Sequence, residues 1–109
     1  MVKQGDIIGI DFTPQAGHEQ AGYRPAVVIS NDFFNSHTRL AIVCPITSNT
    51  RPFPLHLPLD ERTRTQGVIM CEQVKALDLR ARTYTFFEKL PEDLLQDVIN
   101  VVFAEIEIQ

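Results

Sequence analysis

The amino-acid sequence predicts a mainly β fold with one C-terminal α-helix. Up to residue 87, short runs rich in valine and isoleucine alternate with turn residues, which is typical of short strands. After Leu90 the apolar residues recur at helical spacing instead. The length of 109 residues is close to the commonest size of one domain. We therefore expect a single domain over residues 1–109, with the β region over about residues 1–89 and the helix over about residues 91–106.

The β region is expected to contain six strands. In chain order they are Asp6–Phe12, Ala26–Asn31, Arg39–Pro45, Leu55–Leu59, Gly67–Val74 and Thr83–Lys89. Prolines flank or interrupt the fourth strand, and since proline has no N–H to donate to a neighbouring strand, we expect that strand at a sheet edge. Five or six short strands and one helix suit a small, strongly curved barrel, although composition alone would equally allow a sandwich.

The connection between the first two strands is predicted to be a long mobile loop. It runs from Thr13 to Tyr23 and has few apolar residues to anchor it. Long loops in compact domains are often functional. Three reactive side chains, His18, Glu19 and Arg24, lie within seven residues of one another here. A hairpin loop with locally paired charges is the simpler interpretation, and a functional cluster is the alternative.

The C-terminal segment is predicted to be one amphipathic helix. Pro91 suits the first helical turn, and Glu92 and Asp93 suit the positive end of the helix dipole. The apolar face is predicted to consist of Leu94, Leu95, Val98, Val101, Val102 and Ile106.

The net charge of −4 argues at first sight against a protein that binds nucleic acid, because phosphate recognition normally relies on a basic surface. The acidity is concentrated in the tail, however. Residues 88–109 contain six acidic residues and one basic residue, whereas residues 24–82 contain eight basic and five acidic residues. A solvated acidic helix face explains the tail, and we expect it to point away from a mildly basic groove.

The sequence contains no signal for a membrane, a disulfide or a metal. Its longest apolar run, Leu40 to Cys44, has five residues where a membrane span needs roughly 20, so we expect a cytoplasmic protein without a membrane partner. Cys44 and Cys71 form no C-x-x-C pair, and buried reduced thiols are expected. The three histidines are scattered and form no metal-binding motif, and the sequence contains no nucleotide-binding motif. No metal or other cofactor is therefore predicted.

Several motifs follow one another along nearly the whole chain. They are GDII (residues 5–8), GHEQAGYRPAVVIS (17–30), PITS (45–48), EQVK (72–75) and DLRAR (78–82). Together they resemble the MazF/PemK family of toxins from bacterial toxin–antitoxin pairs, and the E-Q-x-G-x-R-P string is the most specific of them. The resemblance implies a small SH3-like antiparallel β-barrel with a C-terminal helix, and a homodimer.

The same resemblance implies an activity and a partner. The family cleaves single-stranded RNA, including mRNA, without metal, at short sequences. The 2′-hydroxyl attacks the adjacent phosphate, which leaves a 2′,3′-cyclic phosphate and a 5′-hydroxyl. A cognate MazE-like antitoxin blocks the RNA groove with its C-terminal segment.

By resemblance, Arg24 and Thr47 match the family's catalytic arginine and threonine. A guanidinium suits phosphate and a hydroxyl can donate to a non-bridging oxygen. Glu19 is a candidate general base, although its loop could equally serve RNA or antitoxin contact. The predicted RNA-binding residues are His18, Gln20, Ser48, Gln73, Lys75, Asp78, Arg80 and Arg82. A Ser/Thr/Asn turn after Thr47 and a solvated charged strand near Lys75 are the simpler alternatives.

Two other functions stay open from the sequence. Gyrase-poisoning toxins share this barrel and act by binding a protein, but they lack the E-Q-x-G-x-R-P string. A barrel that binds RNA without cutting it is the third hypothesis. The segment Ser48–Pro58 matches no pattern that we can connect to one cleavage sequence, so the sequence specificity stays open.

Overall fold

Seven strands and two α-helices make up the part of the chain that the structure describes, residues 1–13, 17 and 22–109 of a computed structural model. In chain order these elements are β1 (Asp6–Asp11), β2 (Tyr23–Val28), α1 (Asp32–Thr38), β3 (Leu40–Thr47), β4 (His56–Pro58), β5 (Val68–Met70), β6 (Lys75–Asp78), β7 (Tyr84–Lys89) and α2 (Glu92–Glu105). A 3-10 turn over Cys71–Gln73 separates β5 from β6.

The strands form one antiparallel sheet in the order β4-β5-β3-β2-β1-β7, with β6 also paired to β3. β3 is central and pairs with β2 along one edge. Its other edge is shared, because β6 pairs with residues 40–43 and β5 pairs with residues 46–47. β4 lies at the end of this order, as its prolines predict. The sheet and α2 confirm a mainly antiparallel β fold with a C-terminal helix.

The predicted fifth strand, Gly67–Val74, is wrong as a single strand. The chain forms β5, leaves the sheet in the 3-10 turn and returns as β6, so two short strands contact different parts of β3. The sequence conceals this turn because the four residues from Val68 to Cys71 are all buried and read as one apolar run.

The predicted second strand, Ala26–Asn31, is displaced, and a short helix follows it. β2 begins at Tyr23 and ends at Val28. Asn31 caps α1, where its Oδ1 accepts a hydrogen bond from the Phe34 N–H at 2.9 Å. The helix ends at Thr38, and Arg39 caps it with a φ of +60°. The prediction of a single helix is therefore incomplete, because a seven-residue helix is too short for its apolar spacing to be recognised.

Two apolar clusters cover the two faces of the sheet. Side chains alternate along each strand, so Ile8 of β1 and Val28 of β2 belong to one cluster, while the neighbouring Ile7 and Val27 belong to the other. We call these the Ile8 cluster and the Ile7 cluster. The Ile8 cluster also contains Val2, Ile10, Phe12, Ala26, Ala41, Val43 and Leu77.

Helix α2 packs on the Ile7 cluster. Val98 is fully buried there. The predicted apolar residues Leu94, Leu95, Val101 and Val102 pack against the same cluster, which confirms the amphipathic helix. Ile106 follows the helix and is 72% exposed, beside Ile99 and Val102 in an apolar pocket. Neither α2 nor another helix within the described ranges is long and apolar enough to cross a membrane.

Both cysteines are buried free thiols, as predicted. They belong to the Ile7 cluster. The β3–β5 register pairs Ile46 with Ile69, and its continuation places Cys44 opposite Cys71. A hydrogen bond with the Cys71 thiol, together with burial, raises the pKa of Cys44 far above its usual range. The Cys44 thiol is therefore unreactive at neutral pH.

Candidate active site

Arg24 and Thr47 each lie two residues beyond Ala26 and Pro45, the last pair at one end of the β2–β3 ladder. The observed register pairs Val28 with Val43 and Ala26 with Pro45. Continued by two residues, it places Arg24 opposite Thr47, the last residue of β3. Directly opposite residues share one face of a sheet, with Cβ atoms about 4.5–5.5 Å apart. The strands therefore place the two predicted catalytic side chains on one face at the same end of the β2–β3 pair, and both are half-buried.

The end of β3 is held in place by local contacts around Thr47. The Thr47 Oγ1 accepts a hydrogen bond from the Asn49 N–H at 3.2 Å, so its own O–H is available to donate elsewhere. Gly67 approaches the Thr47 carbonyl so closely that a Cβ atom at Gly67 would overlap the carbonyl oxygen. Gly67 also has a φ of +123°, which favours glycine.

A cavity of about 290 Å³ adjoins Thr47. Its lining consists of Thr47, Asn49, Arg51, Pro52, Phe53, His56, Met70, Glu72 and Gln73. The sheet register places this cavity on the same face as Arg24. Met70 of β5 pairs with His56 of β4, and the continued β3–β5 register places Pro45 opposite Met70. Because Pro45 and Thr47 are two residues apart on β3, all these side chains are on one face.

A histidine–carboxylate pair lies in this cavity. The His56 Nε2 and the Glu72 Oε2 are 2.9 Å apart, and the two side chains are only 16% and 26% exposed. The His56 Nδ1 and the Glu72 Oε1 are buried and have no hydrogen-bond partner among the described residues. The Phe53 ring lies against the imidazole at 4.9 Å between centroids. Sequence reasoning missed this pair, because its members are 16 residues apart and belong to no motif.

The predicted RNA-binding residues are divided between the two ends of β3. Gln73 lines the cavity, and Ser48 is exposed directly after Thr47. Lys75 of β6 pairs with Val43 of β3, and Val43 is four residues from Thr47 along that strand. Arg82 donates its Nε–H to the backbone oxygen of Asp11 at 3.0 Å.

Asp78 and Arg80 lie elsewhere. Asp78 pairs with Leu40, which is seven residues from Thr47 and thus roughly 23 Å away along β3. Hydrogen bonds from Arg80 lower the pKa of the Asp78 carboxyl, and the Arg80 Nε lies 3.2 Å from the Asp78 Oδ1. Asp78 and Arg80 therefore belong to the end of β3 that is distant from Thr47 along the strand, although Arg82 acts electrostatically on both Asp78 and Asp11. The three loop candidates, His18, Glu19 and Gln20, lie outside the described residues.

The acidic helix α2 covers the opposite face of the sheet. Helix α2 packs against the cluster that contains Val27 and Cys44. Their neighbours Ala26 and Pro45 point to the other face, which is also the face of Arg24 and Thr47. The helix contacts the 3-10 turn that carries Glu72 and Gln73, and its last residue, Glu105, lies near Glu72. Burial raises the pKa of the Glu105 carboxyl, and the nearby Glu72 raises it further. Among the described residues, no group of three or more histidine, cysteine, aspartate or glutamate side chains could hold a metal ion.

The chain is similar to known proteins over nearly its whole length. Residues 3–104 match the family described as the PemK-like, MazF-like toxin of type II toxin–antitoxin systems. The endoribonuclease toxin MazF of Escherichia coli K12 is 41% identical over 103 residues, which cover 92% of each chain.

Solved structures agree with this match. The crystal structure of MazF from Deinococcus radiodurans superposes with a TM-score of 0.92 at 33% identity, covering 98% of this chain and 97% of that one. A chain of a MazE–MazF crystal structure from the same organism gives a TM-score of 0.85 at 32% identity, with coverage of 99% and 97%. The chain therefore belongs to the family of PemK-like, MazF-like toxins of type II toxin–antitoxin systems, and its relatives named here include an endoribonuclease.

Proposed function

We propose that this chain is a sequence-specific endoribonuclease toxin that cleaves single-stranded RNA, including mRNA, and so inhibits translation and growth. The observation that carries the proposal is the β2–β3 register, which brings Arg24 and Thr47 to the same face at one end of the sheet. The 41% identity to an endoribonuclease toxin supports it.

The proposed reaction needs no metal ion. The 2′-oxygen attacks the adjacent phosphorus, a 2′-oxygen–phosphorus bond forms, and the bond from phosphorus to the 5′-oxygen breaks. A base takes the 2′ proton, and an acid returns a proton to the departing 5′-oxygen. The products are a 2′,3′-cyclic phosphate and a 5′-hydroxyl. The negative charge that develops on the non-bridging oxygens is the charge that preorganised donors stabilise.

Arg24 and Thr47 supply those donors. The guanidinium carries a permanent charge and a planar fork of N–H groups that fits phosphate oxygens. The Thr47 O–H can donate to a second oxygen while its Oγ1 keeps the hydrogen bond from Asn49. Glu19 is the proposed base, and His18 and Gln20 are proposed RNA contacts beside it.

The RNA path is proposed to extend along β3. Ser48, Gln73 and Lys75 are proposed to contact the nucleotides next to the cleaved bond. Each lies at the same end of β3 as Thr47 or on the same face of the sheet. Arg82, near the end of β1, reaches the same end from the other side. Asp78 and Arg80 would meet RNA only several nucleotides further along, because of their distance from Thr47.

The proposal includes the toxin's assembly. A MazE-like antitoxin would occupy the RNA groove with its C-terminal segment, and a MazE–MazF crystal structure of a relative supports this partner. We also propose a homodimer, a cytoplasmic location and closure of the single domain into an SH3-like barrel. Apolar clusters on both faces of the sheet support the barrel, because a strongly curved sheet encloses one of them.

The decisive experiment is incubation of the purified protein with a long RNA in the presence of EDTA. We expect cleavage at a short recurring sequence. The new 5′ ends should accept phosphate from polynucleotide kinase without prior phosphatase treatment. Intact RNA, or cleavage that requires added metal, would contradict the proposal. Trapping of DNA gyrase without RNA cleavage would support the protein-binding alternative instead.

A further inference from the structure

The cavity beside Thr47 contains recognition chemistry that the cleavage reaction does not use. We propose that this cavity binds one nucleobase of the RNA next to the cleaved bond and selects bases that carry an exocyclic amino group. This inference rests on the proposed RNA cleavage and deepens it. Its determinants are Phe53, His56 and Glu72.

The position of the cavity fits a base next to the reacting phosphate. Thr47 forms part of its wall, and Arg24 of the neighbouring strand β2 lies on the same face of the sheet. A volume of about 290 Å³ is at the small end of the range of ligand cavities. A nucleotide whose phosphate contacts Thr47 therefore has its base within reach of the cavity.

Two rings in the cavity provide a surface for stacking. Phe53 is 48% exposed, and its ring centroid is 4.9 Å from that of His56. Single-stranded RNA is commonly recognised by bases that leave their own stack and pack on aromatic side chains. The Glu72 carboxylate holds the imidazole through the Nε2 contact of 2.9 Å, so the orientation of that ring is fixed before RNA binds.

The polar edge of the cavity favours a hydrogen-bond donor. The His56 Nε2 lies 2.9 Å from Glu72 Oε2, and Glu72 Oε1 is a buried acceptor without a partner among the described residues. Oε1 is closed to solvent in the free protein, so a base that pairs with it must displace the side chains that cover it. A buried, unpartnered acceptor is unfavourable, and a ligand that supplies an N–H removes that penalty. Adenine, cytosine and guanine have an exocyclic amino group that can donate. Uracil presents carbonyl oxygens at the equivalent positions, and its N3–H lies between two such oxygens, which the carboxylate repels. Glu72 is thus the residue that selects the base.

The test combines a randomised RNA with base analogues. The wild-type protein cleaves an RNA library randomised around the cleaved bond, and sequencing of the 5′-hydroxyl ends gives the preference at every position. We expect one position next to the cleaved bond to exclude uridine. Replacing the preferred base there with its analogue that lacks the amino group should slow cleavage roughly tenfold to a hundredfold, the effect of a lost hydrogen bond to a charged acceptor.

Substitutions then assign this preference to the cavity. In Glu72→Gln the analogue should be cleaved within about threefold of the normal base, while preferences at the other positions persist. Phe53→Ala should slow cleavage roughly tenfold or more through lost stacking. The matched controls are Phe33→Ala and His37→Ala, because this second phenylalanine–histidine pair is exposed on α1 and does not line the cavity. Circular dichroism verifies the fold of each variant.

The outcomes separate this inference from the proposed function. RNA cleavage with identical sequence preferences in the wild type, Glu72→Gln and Phe53→Ala would overturn the nucleobase site and leave the ribonuclease intact. Free acceptance of uridine or of the analogue by the wild type would also overturn it. If Glu72→Gln fails to fold, the cleavage of the analogue by the wild type and the rate of Phe53→Ala still test the nucleobase site. Absence of RNA cleavage by the wild type would refute the proposed function itself.

Discussion

Gly67 is packed directly against the backbone carbonyl of Thr47, so the loop before β5 and the end of β3 are in close contact. A side chain at Gly67 would overlap that carbonyl oxygen and would also have to adopt a φ of +123°. Because Thr47 is the last residue of β3, any shift of this carbonyl moves the threonine hydroxyl. The stability of the fold and the geometry of the candidate site are therefore coupled at Gly67.

Gly67→Ala should reduce both stability and RNA cleavage. We expect a loss of on the order of 3 kcal/mol in the free energy of unfolding, from backbone strain and overlap together. Urea unfolding measures it. Gly22→Ala is the matched control, because Gly22 also has a positive φ but has open space where a Cβ would stand. That variant should lose only about 1 kcal/mol. Equal losses in the two variants would mean that the Thr47 contact is unimportant.

Arg24→Ala and Thr47→Val should each lower the rate of RNA cleavage by about 10²- to 10³-fold, the usual effect of removing one transition-state donor. Thr47→Ser should recover most of the rate because it restores the hydroxyl. Single-turnover cleavage of a short RNA measures these rates. Arg64→Ala and Thr38→Val are the controls, since both residues lie outside the site on a loop and on α1. Unchanged rates would remove Arg24 and Thr47 from the reaction.

Local sequence patterns predicted the elements whose signal is contained within themselves. Alternation predicted β1 and β7, and helical spacing predicted the apolar face of α2. The structure confirms all three elements. The patterns failed where the chain turns inside a buried apolar run, as at Cys71–Gln73. They failed again at α1, whose start is marked only by Asn31 and Asp32.

The candidate site was predictable only in part, because pairing between distant strands is not encoded locally. Arg24 and Thr47 were found through motifs, and the β2–β3 register then explains why they lie together. His56 and Glu72 carry no motif, and they meet only because β4 and β5 pair and the 3-10 turn follows β5. Asp78 and Arg80 lie near Gln73 and Lys75 in the sequence but are distant along β3, since β6 runs away from Thr47.

Glu88→Gln should make the protein less stable at neutral pH and leave its stability almost unchanged near pH 3. Burial alone would raise the pKa of the Glu88 carboxyl, but hydrogen bonds from the Thr65 N–H and hydroxyl and from the Arg64 N–H outweigh burial and lower it. A carboxyl with a lowered pKa in the folded state stabilises the fold above its unfolded pKa and loses that contribution as the pH falls.

The expected loss at pH 7 is about 1 kcal/mol, the net value of a typical hydrogen bond, because Glu88 is only half-buried. Thermal unfolding of the wild type and the variant between pH 7 and pH 3 measures the difference. Glu61→Gln serves as the control, since Glu61 is exposed on the β4–β5 connection that also carries Arg64 and Thr65. A difference between wild type and Glu88→Gln that stays constant with pH would contradict the expected role of the ionised carboxylate.

Glu105→Gln should have the opposite effect and stabilise the protein at neutral pH. Burial and the neighbouring Glu72 raise the pKa of the Glu105 carboxyl, so its ionised form is disfavoured in the folded state. Stability is then reduced as the pH rises above the unfolded pKa, and the neutral amide avoids this loss. The negative charge also lies at the C-terminal end of α2, where the helix dipole disfavours it by about 0.3–1 kcal/mol. The gain in unfolding temperature should therefore be present at pH 7 and vanish near pH 3.5, whereas Glu107→Gln, beyond the helix end, should show a smaller gain. A gain of equal size at both pH values would exclude ionisation of Glu105 as the cause.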